Sequence, residues 1–217
     1  MPPALTLWFN AGYALPSCFS QVLCPMFKKP YQRPESVYAG IGNRDTPQAF
    51  LQLIQAIAQR LSKNNYFMRT GAAPGADQAF MAGTMKGELY IPWNNYEGFP
   101  QKYAIPRIAE QTAQTYCPAW DKMSKGVRAL HARNMMIIAG PHMEDPVDFV
   151  VCFTRDGCNS KAMRSPETGG TGSAIAYADD LGVPIINLAN GRSLEYLTIF
   201  SGVDFMDMEL PSLLPSF

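Results

Sequence analysis

Between residues 37 and 188, short apolar runs alternate with amphipathic stretches, a pattern typical of an α/β protein. The apolar runs predict buried strands at residues 37–41, 66–70, 88–91, 148–154 and 183–188. Helical spacing predicts one helix that begins at residue 47 and four more at residues 76–86, 105–116, 126–139 and 173–181. Such alternation predicts a parallel sheet with helices on both faces, joined by right-handed crossovers.

The first helix has the clearest start and stop signals. Thr46 is the predicted N-cap, Pro47 is the first helical residue, and Lys63-Asn64-Asn65 ends the pattern. Its apolar residues recur at helical spacing and predict one buried stripe: Phe50, Leu53, Ile54, Ile57, Ala58 and Leu61.

The pattern predicts one Rossmann-like domain at residues 36–192, with an irregular N-terminal arm (1–35) and a C-terminal tail (193–217). The arm lacks a basic leading segment and is broken by prolines, so it does not resemble a signal peptide. Either it packs on the domain or translation starts at Met26. The alternating apolar and acidic residues of the tail predict a short packed helix or an oligomer contact. The polar residues 155–168 predict a mobile loop.

Three segments of small residues each follow an apolar run and precede a helical pattern. They are Gly40-Ile41-Gly42-Asn43-Arg44, Gly71-Ala72-Ala73-Pro74-Gly75-Ala76-Asp77 and Gly169-Gly170-Thr171-Gly172-Ser173. Glycine lets the backbone approach a ligand closely, and the start of a helix offers unpaired N–H groups. Because ligands bind outside the carboxyl ends of parallel strands, these turns predict a shared pocket for a phosphate-bearing molecule.

The side chains in and near these turns suggest separate roles, each with a structural alternative. Arg44 is either a phosphate clamp or a solvated residue of a tight turn. Asp77 caps its helix or accepts a hydrogen bond from a ribose. Trp93 stacks on a base or packs in the core, and Arg133 points into the pocket or lies on the surface. The candidate ligand-binding residues are Gly40, Gly42, Arg44, Gly71, Ala72, Gly75, Asp77, Trp93, Arg133, Asn134, Gly169, Gly170, Thr171, Gly172 and Ser173.

Composition narrows the classes of function. Lys and Arg number 18, as do Asp and Glu, so no overall positive field attracts nucleic acid. The five scattered cysteines favour reduced thiols in a cytoplasmic protein over a disulfide framework or a zinc site. Two histidines are too few for most multi-histidine sites, and no metal or cofactor is expected. No stretch is long and apolar enough to predict a membrane span.

Several catalytic motifs do not fit this chain. The first turn lacks the third glycine of a dinucleotide fingerprint, and the third turn lacks the lysine of a P-loop. No Ser-His-Asp or Cys-His arrangement can be assigned, so the catalytic residues and the question of catalysis stay open.

Four segments in order resemble the SLOG superfamily, which includes DprA-like DNA-processing proteins and LOG nucleotide phosphoribohydrolases. Residues 38–44 resemble the opening Gly-x-Arg turn of DprA-like proteins, and residues 69–77 are similar to their Ser-Gly-x-Ala-x-Gly-x-Asp turn. Residues 132–140 resemble their Arg-Asn-x-x-Ile-Ala-Gly segment, and residues 169–174 their late glycine turn. The resemblance covers residues 37–189 and suggests a small phage or bacterial member.

The resemblance implies a Rossmann-like fold, a bound nucleotide or nucleotide-derived molecule and, as in many members, a homodimer. His131-Ala132-Arg133-Asn134 also resembles the His-Glu-Arg-Lys segment of LOG enzymes, but Ser173-Ala174-Ile175-Ala176 holds no acid where those enzymes have a glutamate. Three functions stay open: nucleotide binding, cleavage or transfer of the base of a nucleoside monophosphate, and single-stranded DNA binding. Cleavage would need a carboxylate from elsewhere, with Glu97, Glu167 and Asp77 as candidates.

Overall fold

A computed structural model describes residues 36–212 of the protein, and both hypotheses about the N-terminal arm lie outside this range. The strands are β1 (Val37–Gly42), β2 (Phe67–Thr70), β3 (Gly87–Leu89), β4 (Phe149–Phe153) and β5 (Ile185–Asn187). The α-helices are α1 (Gln48–Lys63), α2 (Ala76–Gly83), α3 (Arg107–Tyr116), α4 (Lys125–Ala139), α5 (Thr171–Asp180) and α6 (Ser193–Ser201).

The strands form one parallel sheet in the order β3-β2-β1-β4-β5. Strands β2 and β3 lie on one side of β1, and the chain then crosses to the other side of β1, where β4 and β5 lie. The strand order therefore reverses between β1 and β4, where Gly42 pairs with Phe153 in the last position of both strands. Ligands of open α/β sheets bind outside the carboxyl ends of the strands at such a point.

Both faces of the sheet are covered, which confirms the predicted α/β class. Val37, Ala39 and Ile41 of β1 pack in one apolar cluster with α3, α4 and α5. Tyr38, the alternate residue, packs in a second cluster with α1, α2 and α6. Because successive strand residues point to opposite faces, one strand contributes to both apolar layers.

Helix α1 buries the stripe that the sequence predicts. Phe50, Leu53, Ile54, Ile57, Ala58 and Leu61 are all buried. Its start differs from the prediction: Pro47 is the N-cap and no side chain caps it. The Thr46 hydroxyl instead donates to the Asn43 carbonyl at 2.6 Å, so it tightens the β1–α1 turn.

Most other bounds differ from the prediction by one or two residues, and two segments differ more. Helix α2 ends at Gly83, where an added Cβ would lie 2.2 Å from the Gln55 carbonyl oxygen. Residues 155–168, predicted as a mobile loop, contain the short 3-10 helices Lys161–Met163 and Pro166–Thr168. Ser165 and Thr168 form a capping box for the second, and both hydroxyls donate to Asp156.

The first part of the tail packs on the sheet. Leu194 and Leu197 of α6, with Phe205 beyond it, are buried in the α1–α2 cluster. Of the two alternatives for the tail, a short packed helix therefore describes residues 193–201. Residues 213–217 lie outside the described range.

Gly40 is required for packing inside the sheet. A Cβ at this position would lie 2.5 Å from the fully buried ring of Phe80. We expect Gly40→Ala to lower the free energy of unfolding by about 1–3 kcal/mol, the usual cost of overpacking. Urea denaturation checks this, and a second change, Phe80→Leu, should recover part of the loss. An unchanged midpoint for Gly40→Ala would contradict this role.

Candidate functional site

A cavity of about 1280 Å³ lies at the carboxyl ends of β1 and β4, where the strand order reverses. Its walls come from the β1–α1 turn, the turn before α2 and the first residues of α2, the first half of α4, the end of β4 and the start of α5. Its polar and charged lining side chains are Asn43, Arg44, Asp45, Asp77, His131, Arg133, Asn134, Arg155, Glu167 and Thr171.

The third glycine turn forms an open wall of this cavity. A Cβ added at Gly169 or Gly170 would meet no atom within 4 Å, so neither glycine is needed for packing, although the φ of +62° at Gly169 favours glycine there. Helix α5 begins at Thr171, two residues earlier than predicted, and Thr171, Gly172 and Ser173 form its first turn. The first N–H groups of a helix have no intrahelical acceptor, and the dipole makes this end favourable for an anion.

Asn43 ties the first glycine turn to the third. Its Nδ2 donates to the Glu167 carbonyl at 3.2 Å, and its Oδ1 accepts from the Thr171 hydroxyl at 3.4 Å. The side chain therefore connects the turns after β1 and before α5 across the cavity. Asn43 was not among the candidate binding residues, although its position directly after the glycine-rich end of β1 indicates a place at the ligand-binding edge of the sheet.

The glycines of the first turn are explained by neighbouring protein atoms. A Cβ on Gly42 would lie 2.6 Å from the Ala76 Cβ and 2.8 Å from the Phe153 carbonyl oxygen. Gly40 packs on Phe80, as described above, and does not line the cavity. This turn therefore lets α2 and β4 approach β1, and its contribution to the cavity comes from Gly42 and the residues after it.

The small residues of the second turn likewise serve internal contacts. A Cβ on Gly71 would lie 0.9 Å from Nη1 of Arg133, so Gly71 leaves the space that this guanidinium fills. Gly75 has a φ of +86°, with the Arg44 carbonyl oxygen 2.4 Å from its added Cβ. Ala72 is fully buried with a φ of 59°. None of these three residues lines the cavity.

Arg133 and Asp77 form a buried ion pair in the wall of the cavity. Nη1 of Arg133 donates to Oδ2 of Asp77 at 3.3 Å, and the side chains are 4% and 5% exposed. The same carboxylate oxygen accepts from the Ala73 N–H. Burial raises the pKa of Asp77, and the positive charge of Arg133 opposes that rise. Nε of Arg133 is buried without an acceptor among residues 36–212.

Arg44 supplies an exposed positive charge at the rim. Its Nη2 donates to the Tyr96 hydroxyl at 3.2 Å, and within the described part of the chain no carboxylate pairs with it. Arg155, also at the rim, pairs with Asp45 at 2.9 Å. Since Asp77 is paired as well, Glu167 is the cavity carboxylate without an ion-pair partner among the described residues.

Trp93 lies near the cavity but outside its lining. The ring is 41% exposed, packs edge-on against Tyr96 with centroids 5.0 Å apart, and faces Gly126 of α4. Val127 and Leu130 of α4 contribute to the apolar lining, together with Ile41, Pro47, Ala73, Phe153 and Pro166. A base placed against α4 would therefore meet aliphatic side chains.

A polar cluster under the third turn connects α4 to the start of α5. Asn134 Nδ2 donates to the Gly170 carbonyl at 3.2 Å, and the Ser173 hydroxyl donates to the same oxygen at 3.2 Å. Nδ1 of His131 lies 2.8 Å from the Ser173 Oγ. Gly172 and Ser173 line a second cavity of about 440 Å³ beyond the Gly169–Gly170 turn, and His131 lines both cavities.

The structure thus brings together about half of the candidate binding residues. Those that line the main cavity are Gly42, Arg44, Asp77, Arg133, Asn134, Gly169, Gly170 and Thr171. Those that do not are Gly40, Gly71, Ala72, Gly75, Trp93, Gly172 and Ser173. The sequence missed Asn43, His131 and Arg155 as lining residues.

Comparisons with models of protein families, with curated proteins and with solved structures find no match to this chain. Within residues 36–212 no group of His, Cys, Asp and Glu side chains is arranged to hold a metal ion. The same residues contain no helix of the length and apolarity that crossing a bilayer requires. The function is therefore inferred from the geometry of the cavity.

Proposed function

We propose that this protein binds a nucleotide or nucleotide-derived molecule in the main cavity, with a phosphate at the start of α5. The observation that carries this proposal is the open Gly169–Gly170 turn at the point where the strand order reverses. Packing explains Gly42, and a φ of +62° explains Gly169, but Gly170 has an ordinary φ of −64° and leaves open space beside the first N–H groups of α5. A phosphate fits this combination of space, N–H donors and a positive dipole end.

The charges of the lining support an anionic ligand. Arg44 is exposed and has no carboxylate partner in the described chain, so it can form a charge-assisted bond to a phosphate. Arg133 lines the same wall, where its buried guanidinium is paired with Asp77. The aliphatic wall of Val127 and Leu130 suits the flat face of a base.

Calorimetric titration with mononucleotides and dinucleotides tests the proposal. We expect micromolar binding that inorganic phosphate weakens. If none of the nucleotides binds, the proposal is rejected. A single-stranded oligonucleotide belongs in the same panel. Affinity that falls steeply with salt for the oligonucleotide alone would favour the DNA-binding alternative.

We expect Arg44→Ala to weaken nucleotide binding by about tenfold or more, because a charge-assisted hydrogen bond contributes about 1.5–3 kcal/mol. Arg44→Lys should retain part of the affinity, since the charge stays but the planar fork is lost. Lys102→Ala is the matched control, because it removes an exposed positive charge that lies outside the cavity lining. Equal losses for Arg44→Ala and Lys102→Ala would mean that Arg44 does not contact the ligand.

A second candidate function is cleavage of the base from a nucleoside monophosphate. It is favoured by Glu167, an exposed carboxylate that lines the cavity directly before the Gly169 turn. Glu97 does not line the cavity, and the Asp77 carboxylate is paired with Arg133. Incubation with nucleotides, followed by chromatography for free base, separates the two functions. Base released by the wild type but not by Glu167→Gln would support cleavage, and no release leaves binding as the function.

A further inference from the structure

His131 is placed between the two cavities by a fixed hydrogen bond. Its Nδ1 lies 2.8 Å from the Ser173 hydroxyl, which lines the smaller cavity and not the main one. His131 also lines the main cavity. Nε2 has no hydrogen-bond partner among residues 36–212, and it is not among their buried unpaired atoms. It is thus open to a ligand.

The neighbours of Ser173 favour one position for the imidazole proton. The hydroxyl has one hydrogen, which it donates to the Gly170 carbonyl oxygen, a group that can only accept. Both contacts are satisfied when Ser173 donates to Gly170 and accepts from an Nδ1–H of His131. In the neutral ring, Nε2 is then an acceptor.

The imidazole is neutral near pH 7. Burial lowers the pKa of His131 below the ordinary value of 6.5, and the positive charge of Arg133 adds to this effect. Neutral histidine has one acceptor nitrogen, and its partner decides which one it is. The site therefore combines an anion-favouring helix start with a neighbouring hydrogen-bond acceptor.

We propose that His131 carries its proton on Nδ1 and offers Nε2 to a ribose hydroxyl of the bound nucleotide. The choice of ligand group rests on the proposed function. Ser173 connects His131 to Gly170, so the acceptor lies beside the turn that is assigned to phosphate. In a nucleoside 5′-monophosphate the group next to the phosphate is the ribose, and its hydroxyls are donors. A ligand without hydroxyls leaves Nε2 unpaired.

Nitrogen NMR of the imidazole rings tests the proton position in the ligand-free protein. The chain has two histidines, and the exposed His142 serves as the internal reference. At pH 7 we expect His131 to show a protonated Nδ1 and an unprotonated Nε2, unlike His142. Ser173→Ala should remove this preference. A wild-type His131 with its proton on Nε2 overturns the inference, whether or not any nucleotide binds.

Calorimetry tests the ribose contact with nucleoside 5′-monophosphates and their 2′,3′-dideoxy counterparts. The wild type should favour the ribonucleotides by about tenfold, the value of one well-made hydrogen bond. His131→Phe should abolish that preference while inorganic phosphate still binds, and His131→Gln should keep part of it. A preference that survives in His131→Phe overturns the ribose assignment. If the wild type binds no nucleotide, the proposed function and the ribose contact fail together, and the NMR result still decides the proton position.

Discussion

Arg133→Met is expected to lower the free energy of unfolding by about 3–5 kcal/mol, the usual cost of leaving one buried charge without its partner. Arg133 and Asp77 are 4% and 5% exposed, so water cannot replace the lost contact. The guanidinium also fills the space above Gly71, and its removal leaves part of that space empty. Urea denaturation of the wild type and the variant measures the loss.

The double variant Asp77→Leu with Arg133→Met is the matched control for the lost charge. It removes both charges and should recover most of the stability, because a buried pair is often replaceable by apolar residues of similar size. If Arg133→Met costs less than about 1 kcal/mol, the buried pair is not the main contact of this wall. If the double variant is no more stable than Arg133→Met, the lost volume and not the unpaired charge explains the defect.

The same variant should have a distinctive pH dependence. Without Arg133, burial still raises the pKa of Asp77 above its ordinary 3.8, and of the opposing contacts only the backbone N–H groups of Ala73 and Gly71 remain. A carboxyl with a raised pKa in the folded state binds more protons when folded, so the free energy of unfolding falls as pH rises between the two values. The deficit of Arg133→Met relative to the wild type should therefore shrink toward acidic pH. A deficit that is constant with pH would show that the loss of Arg133 leaves the pKa of Asp77 in the folded state unchanged.

Gly170→Asp is expected to reduce nucleotide affinity at least 100-fold with little effect on folding. A unit charge 4 Å from a like charge is repelled by about 4 kcal/mol at an effective dielectric constant of 20, and each 1.4 kcal/mol is tenfold in affinity. Gly170 has a φ of −64° and a ψ of −23°, and an added Cβ meets nothing within 4 Å. The folded state can therefore accept the side chain.

Gly170→Asn is the control, because it has the shape of aspartate without the charge. We expect it to lose far less affinity than Gly170→Asp, and both variants to unfold within about 0.5 kcal/mol of the wild type. Calorimetry measures the affinities and urea denaturation the stabilities. Equal losses of affinity in the two variants would show that the side chain obstructs the cavity by its size. Unchanged affinity in Gly170→Asp would contradict a phosphate bound at the start of α5.

The secondary structure was largely predictable because burial imposes periodicity on the sequence. The stripe from Phe50 to Leu61 and the five strands follow from spacing alone. The bounds were less predictable where no side chain caps a helix, as at the starts of α1 and α5. The capping box at Ser165 and Thr168 had a visible signal, a serine followed by proline, within a segment that was predicted as a loop.

The site was only partly predictable because a glycine in sequence does not reveal what approaches it. Gly71 and Gly170 looked alike, yet Gly71 makes room for the Arg133 side chain and Gly170 faces open space. The Arg133–Asp77 pair joins residues 56 positions apart, so it depends on the folded arrangement of α2 and α4. The Asn43 bridge and the His131–Ser173 contact also link distant segments, and spacing carries no sign of them.

The measurement that tests the central claim most directly is a crystal structure of the protein soaked with a mixture of nucleoside 5′-monophosphates. The predicted result is a phosphate within about 3 Å of the N–H groups of Gly170 and Thr171, with the base against Val127 and Leu130. A nucleotide bound at any other surface, with this cavity left to solvent, would contradict the account.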